Sequence, residues 1–402
     1  MNLILQFYPI LKSLLNNRTG AVLIAIQTAV TLAIVINATF IISQRIDKMM
    51  RPTGMDVEHI VTLASQSFAP DFNAESTTQV DLALLRDLPG VIDAAPSQAI
   101  PLSGSGWSSN YTATADTDKN KIAMAMYFTD DHMVNALGIT LKAGRNFLPE
   151  EISHYEAGNK QIDSVVILTD EAALALYPDG DALGKPVYSK SGSMATIVGI
   201  IDHMQGAWAG WEGFNRVMLV PKYQHNRYII RAEADAIDAL LATLEDTLSR
   251  ADRGRIVRQV RPMDYYLKHA YQEDRAMSIV LATVIVLLII VAGLGIVSLA
   301  TFNVNQRTRQ IGTHRALGAT RMDMLNYFLL ENWIITSAGV VVGTLLGIAF
   351  NYWLITSFEL PSLQWYYIAG GIISIWCLGL ASVFAPARTA SMVSPALATR
   401  NL

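Results

Sequence analysis

AMSIVLATVIVLLIIVAGLGIVSLATFNVNQ, residues 276–306, contains no Asp, Glu, Lys or Arg. Such a run exceeds the ~20 residues that an α-helix needs to cross the hydrocarbon core of a bilayer. A helix satisfies its backbone hydrogen bonds within one segment, so the run reads as a membrane span. Three further uncharged runs, 19–44, 332–358 and 360–387, share its richness in Ile, Val, Leu and Ala. One lies near the start and three lie in the last third, with a polar segment, 45–275, after the first. The pattern predicts an integral membrane α-helical protein with four transmembrane helices, arranged 1+3 around a large domain. Such a protein is built to link events on two sides of a membrane.

Lack of charge alone does not make a span. Segment 94–115, AAPSQAIPLSGSGWSSNYTATA, is uncharged too, yet its Ser, Pro, Gly, Asn and Thr predict a loop-like stretch. Over the whole chain the charged fraction is 16%, against roughly 25% in soluble domains.

Basic residues set the orientation. Segment 1–18 carries Lys12 and Arg18 and no acid. The loop after the second span carries Arg307, Arg309, Arg315 and Arg321 against Asp323, and the tail carries Arg388 and Arg400. The connection between the last two spans holds only Glu359. If each span crosses once, both termini and all basic segments are cytoplasmic and the large domain lies outside the membrane. The cytoplasmic pieces sum to +7 and Glu331 with Glu359 add −2, so the −4 of the whole chain leaves about −9 for the domain. An acidic domain of that kind is no surface for nucleic acid or anionic lipid. The first span is too long for a signal peptide and lacks a clear cleavage site, so a retained anchor is expected. Cys377, the single cysteine, lies in the fourth span, leaving no disulfide or thiolate metal site within one chain.

Residues 45–50 should continue the first helix as a stalk until Pro52 and Gly54 break it. In the domain, 57–63 alternates as a strand does. Val80, Leu82, Leu84, Leu85 and Leu88 follow at mostly helical spacing, closed by Pro89-Gly90, and 91–95 reads as a strand. A second β-α-β unit comprises 228–231, a helix over 234–249 with Ile237, Leu240, Leu241, Leu244 and Leu248 on one stripe, and 255–260. Two such units predict one α+β core (57–115 and 225–262) with 116–224 inserted as a second lobe. That lobe shows strand-like runs at 165–168 and 195–201. Segment 265–276 is amphipathic and runs into the second span without Pro or Gly, predicting a helix continuous with the span.

Catalytic chemistry finds little support. Gly180 and Gly184-Lys185-Pro186 have too few residues between the glycines for a phosphate loop, and proline stands where Ser or Thr would bind magnesium. His132 beside Asp130 and Asp131, and His154 beside Glu150 and Glu151, lack metal-ligand spacing. No G-x-S-x-G occurs. Asp202-His203 with Trp208, Trp211 and Phe214 reads equally as a contact patch or as core. No catalytic, cofactor-binding or metal-ligating residue is therefore assigned. Polar residues within the spans are sparse (Gln27, Thr28, Thr31, Asn37, Asn303), and no intramembrane charge marks an ion path.

The cytoplasmic loop is more specific. NQRTRQIGTHRALG, residues 305–318, predicts a short basic helix ended by Gly318, and Thr320 with Asp323 forms a capping box for the next helix. Ile311 and Leu317 beside the arginines give this helix a face for a partner, although lipid headgroups alone would satisfy the charge. Glu331 stands where it can pair with a loop arginine. Gly339, Gly343 and Gly347 repeat a small-xxx-small motif that serves dimerisation or packing within one chain equally well.

The run RTRQIGTHRALGATRMDMLNYFLLEN (307–332) resembles the signature of the FtsX-like permease domain of MacB-type ABC transporters, approximately R-x-R-E-I-G-[IL]-R-[RK]-A-[LI]-G-A-[ST] followed by an acid. Gln310, Thr313 and His314 depart from it, and Glu331 matches the later acid. The ending from Pro386 to Pro395 resembles that family's PARRAARIDPAEALR, with fewer charges. Residues 137–147 resemble the L-G-x-x-[LM]-x-x-G-R-x-F of the MacB periplasmic domain.

The resemblance implies a MacB-like periplasmic domain over 45–275, whose lobes are a porter-like core and an insertion. It implies an FtsX-like permease domain over 276–402, with spans at about 277–303, 329–357 and 365–387 and a coupling loop at 304–327. By likeness the chain is the permease of a type VII ABC transporter. Eighteen residues before the first span leave the ATPase, with its ATP and Mg, to a separate cytoplasmic chain. Arg307, Arg309, Ile311, His314, Arg315, Leu317 and Gly318 would couple to it, and this chain itself would bind no cofactor. A second permease subunit, an adaptor protein, an outer-membrane channel and membrane lipid are the other expected partners. Force-driven export of a periplasmic substrate is the leading expectation, lipoprotein extraction the alternative, and a membrane-anchored sensor the weaker one.

Overall fold

The computed structural model describes residues 18–68, 73–116, 120–154, 165–190, 192–223, 226–252, 254–358 and 361–392. Lys12, Glu359, Pro395 and Arg400 lie outside the described residues. The chain divides into two units, Arg51–Glu273 and the segments on either side of it.

Helix α1 (Arg18–Met49) is 32 residues long, about 48 Å at 1.5 Å per residue. It crosses and continues as the expected stalk. The chain then turns at Gly54, whose φ of +76° puts a hypothetical Cβ 2.0 Å from the His203 carbonyl oxygen, so only glycine fits.

The first lobe of the large domain is built from β1 (Ile60–Ser67), α2 (Ala74–Arg86) and β2 (Val91–Ser97), completed far along the chain by three more elements. Between them the chain forms β3 (Trp107–Thr112), β4 (Ile122–Thr129), α3 (Met133–Ala136), β5 (Leu141–Gly144), β6 (Ser153–His154), β7 (Val165–Thr169), α4 (Asp170–Leu176), β8 (Pro186–Ser189), β9 (Met194–Ile201) and β10 (Val217–Tyr223). The returning elements are β11 (Arg227–Ala232), α5 (Ile237–Ala251) and β12 (Arg255–Pro262).

The four-stranded sheet has the order β12-β1-β11-β2, with β1 antiparallel to β11 and β12, and β11 antiparallel to β2. Strands β1 and β2 are therefore parallel with β11 between them. The two β-α-β units interleave as a split, ferredoxin-like sheet rather than standing side by side. Val61, Leu63, Tyr228 and Ile230 of the sheet meet Leu82 and Leu85 of α2 and Leu240, Leu244 and Leu248 of α5. Each fully buried leucine contributes roughly 1.5–3 kcal/mol. Val80 departs from the expected stripe: it is 60% exposed, because Asp81 and Leu82 take the inward positions. Asp81 accepts from Tyr228 Oη and Arg255 Nη1, each at 2.7 Å. Burial raises its pKa against the pull of Arg255 and Tyr228.

In the second lobe β4 pairs with β3 and β10, and the series β3-β8-β9-β7-β10 returns to β4, closing a ring. Strand β5 pairs with β9 and β6 with β10. The strands expected at 165–168 and 195–201 are β7 and β9. The loop-like reading of 94–115 is corrected: it holds part of β2 and all of β3. Trp107–Thr112 is exposed over most of its first four residues and buried at Tyr111 and Thr112, and it pairs with β4 and β8. It therefore belongs to the inserted lobe, whose boundary falls between Ser97 and Trp107 and not at 116.

The domain ends in α6 (Met263–Ala270), followed by α7 (Gln272–Gln306). The expected continuous helix is interrupted at Tyr271, whose backbone (φ −110°, ψ 16°) leaves the helix while its ring is buried. A buried aromatic turns the chain here where no Pro or Gly announces it.

The other unit comprises α1, α7, α8 (Thr308–Ala316), α9 (Arg321–Phe358) and α10 (Trp365–Ser391). Helices α1, α7, α9 and α10 are each long and apolar enough to cross a membrane. Gly339 and Gly343 of α9 lie against Ala25, Thr28 and Ala29 of α1, where a Cβ would come within 2.7 Å of a backbone oxygen. The glycine repeat thus packs α9 onto α1 of the same chain. Asn37 Nδ2 donates to the Gly347 carbonyl at 3.0 Å across that seam.

Candidate functional site

The basic loop folds as predicted by its punctuation. Gly318 takes φ +102°, and the amides of Gly318 and Ala319 return to the carbonyls of Arg315 and His314, at 3.2 and 3.1 Å. This glycine-capped end satisfies carbonyls that the helix leaves open. Asp323 Oδ2 accepts from the Thr320 amide and hydroxyl, and the Asp323 amide donates to Thr320 Oγ1 at 3.1 Å, a reciprocal cap that starts α9. The two caps together define the turn from α8 into α9.

Side chains fix α8 to the bundle. Arg307, at its N-cap, donates from Nη1 to Glu331 Oε1 at 2.9 Å, and both side chains are largely buried. Ile311 is 4% exposed and packs with Ile24, Ile296, Val304, Met324, Phe328 and Val383, from four helices. This corrects its reading as part of a partner-facing surface: α8 turns Ile311 inward because that position meets the apolar ends of α1, α7, α9 and α10. Gly312 is buried beside it. Arg309, His314 and Leu317 lie on the open side, with Leu317 82% exposed, and Arg315 is half-buried between the two faces. The residues read as one coupling set therefore divide into an anchor (Arg307, Ile311), an exposed face (Arg309, His314, Leu317) and the exposed glycine turn at Gly318, with Arg315 between.

At the opposite end of the membrane unit is a cluster that sequence reasoning missed. Asp274, buried in the first turn of α7, accepts from Arg45 and from Lys48 Nζ (2.9 Å), both on the stalk end of α1. The large domain begins just after α1 and ends just before α7, so this ion pair ties together its two connections to the membrane. The signal available was a Glu273-Asp274-Arg275 run just ahead of one apolar stretch and two bases, Arg45 and Lys48, one helical turn apart after another. Gln27 Nε2 to the Val291 carbonyl (3.0 Å) and Asn332 Nδ2 to the Gly379 carbonyl (3.0 Å) add cross-links between spans.

The rejected chemistry in the large domain is occupied by structural contacts. Lys185, after Gly184, pairs with Asp181 and stands over the Tyr177 ring. His132 Nδ1 is 2.7 Å from Asp93 Oδ1. Phe214 is buried, while Trp208 and Trp211 form a half-buried edge-to-face pair with centroids 5.6 Å apart. Among the described residues no cluster of three His, Cys, Asp or Glu could hold a metal ion.

Residues 21–259 match the family model described as MacB-like periplasmic core domain, and residues 282–395 match that of the FtsX-like permease C-terminal. The chain is 27% identical over 267 residues to a macrolide export ATP-binding/permease protein MacB of Chromobacterium violaceum, covering 64% of this chain and 40% of that one. It is 25% identical over 284 residues to the protein of the same name from Marinobacter nauticus, covering 67% and 44%. It spans less than half the length of either relative. The periplasmic region of MacB from Actinobacillus actinomycetemcomitans shares 12% identity at a TM-score of 0.34, covering 54% of this chain and 94% of that one. Four apolar helices and the match to the MacB-like periplasmic core domain model make the chain a membrane protein with an extracytoplasmic domain. With one of these models matching more than half of its residues and the other most of its last third, the chain belongs to the family of MacB-like permeases that carry an FtsX-like C-terminal domain.

Proposed function

We propose that this chain is the permease of a bacterial inner-membrane exporter, and that it carries work from a cytoplasmic ABC ATPase to its extracytoplasmic domain instead of passing cargo between its spans. The observation that carries this reading is the two-sided character of α8. Its inner side is fixed by Ile311 and the Arg307–Glu331 pair, and its outer side offers Arg309, His314 and the exposed Leu317. A push on α8 then moves the start of α9, whose glycine seam carries α1 with it, and Asp274 holds the far ends of α1 and α7 together. ATP and Mg belong to the ATPase.

A second permease subunit, an adaptor protein and an outer-membrane channel complete the proposed machine. Macrolides, from the name of the relatives, are the first substrate class to test. The excess of basic residues on the loop and termini supports their cytoplasmic placement.

The test is co-purification from native membranes followed by hydrolysis measurements. An ABC ATPase should copurify, its turnover should rise when this chain is present, and Leu317→Asp or Arg309→Glu should abolish that rise. Absence of such an ATPase, or full stimulation by both variants, refutes the reading.

A further inference from the structure

The four-stranded sheet is covered on one face by α2 and α5. Its other face holds a cleft of about 180 Å³ at the end where β1 finishes and β11 and β12 begin. Ala64 lies in it, paired across β1 with Arg227 of β11 on one side and with Arg258 of β12 on the other. Directly opposed residues share a face, so two arginines rise from backbones about 10 Å apart with only a methyl group between them. Arg227 is oriented by neutral acceptors, the Gln98 carbonyl and Asn226 Oδ1. Arg258 is exposed, and its side chain has no hydrogen bond or ion pair among the described residues. Gln66 and Gln259 supply carboxamides, and the lining contains no Asp or Glu. Gln259 holds a left-handed φ of +56°, a strained value for a non-glycine residue that fixes the rim.

This concentration of positive charge stands in a domain of net negative charge. Like charges on one sheet face repel each other, and here no acid of the cleft offsets them. Two guanidinium forks match the oxygens of a carboxylate or phosphate. We propose that the cleft is an anion-binding site, holding one carboxylate or phosphate group on Arg227 and Arg258 with Gln66 and Gln259 as neutral donors. The group comes from a free small anion or from an acidic side chain of a polypeptide.

Calorimetric titration of the full chain, in nanodiscs of uncharged lipid at fixed ionic strength, tests this with inorganic phosphate, citrate and a glutamate-rich hexapeptide. Saturable one-site binding of at least one probe is expected. Tighter binding of the peptide assigns the site to a polypeptide, and tighter binding of citrate or phosphate assigns it to a free anion. Arg258→Gln should weaken binding by at least about tenfold, since a charge-assisted hydrogen bond is lost. Ala64→Leu keeps both charges and fills the space between them, so it should abolish binding. Arg258 forms no internal side-chain bond, so its variant should keep the wild-type unfolding midpoint and separate lost binding from lost folding. No saturable binding of any probe, or unchanged affinity in Arg258→Gln or in Ala64→Leu, overturns the proposal.

Discussion

Replacing Gly343 by alanine adds a methyl group where α1 leaves no room for one. A Cβ there would lie 2.7 Å from the Ala29 carbonyl oxygen and 2.8 Å from its Cα, both backbone atoms that no rotamer change removes. Comfortable contact needs about 3.5 Å, so the helices must part by about 0.7 Å or the methyl must distort them. Overpacking of this kind costs about 1–3 kcal/mol. Removing a glycine from a helix interior returns about 0.5–1 kcal/mol, which partly hides the loss. Gly347 supplies the control, because its Cβ would meet nothing closer than the Ala33 Cα at 3.5 Å. The helix gain is common to both substitutions, so their difference isolates the contact at about 1–3 kcal/mol. Gly343→Ala should be the less stable variant and Gly347→Ala neutral or slightly stabilised, with Gly339→Ala resembling Gly343→Ala. Reversible unfolding of the purified chain in mixed micelles, followed by circular dichroism, reads these differences. Equal losses at Gly343 and Gly347, or a Gly339→Ala/Gly343→Ala chain as stable as the parent, would refute the packing argument.

Three further outcomes follow from buried charges. Burial pushes Asp130 up to about 6, opposed by Arg86. Because the folded value exceeds the unfolded 3.8, its contribution is complete below about pH 4 and is lost as pH rises through 6, about 3 kcal/mol in all. Thermal unfolding of the full chain from pH 4 to 7 should therefore fall more steeply than that of Asp130→Asn, and parallel slopes would exclude the effect. Asp274→Asn leaves Arg45 and Lys48 without their shared acceptor. Their side chains are 31% and 27% exposed, so solvent reduces the cost to about 1–3 kcal/mol, below that of a fully buried pair. Asp274→Glu should recover part of the lost unfolding midpoint. Asp81→Asn breaks a pair whose side chains are 1% and 3% exposed and should cost about 3–5 kcal/mol in denaturant titration of the first lobe; a loss under about 1 kcal/mol contradicts the pairing.

Much of this architecture was legible because it rests on local rules. The spans follow from unbroken apolar runs, the end of α8 from Gly318, and the start of α9 from Thr320 and Asp323. That Glu331 pairs with a loop arginine was legible too, although only the structure singles out Arg307. What escaped depends on contacts distant in sequence. Trp107–Thr112 is a strand because β4 and β8 lie on either side of it, although its Ser and Asn read as loop. The interleaving of the two β-α-β units is decided by β11 entering between β1 and β2. The inward turn of Ile311 depends on four helix ends meeting around a nine-residue helix with no apolar stripe of its own. The break at Tyr271 comes from burial of one ring, and the glycine repeat had no stated partner until α1 was beside it.

Whether α8 carries force is decided by measuring ATP hydrolysis and substrate movement together, in proteoliposomes holding this chain and the ABC ATPase proposed as its partner. The variants are Glu331→Gln, Arg307→Gln and the exchanged pair Arg307→Glu with Glu331→Arg. Breaking the pair should leave α8 able to bind the ATPase but loosely fixed to α9. Hydrolysis should persist while movement per ATP falls severalfold, and the exchanged pair should recover part of that ratio. Unchanged movement per ATP in both single variants would contradict transmission through this helix.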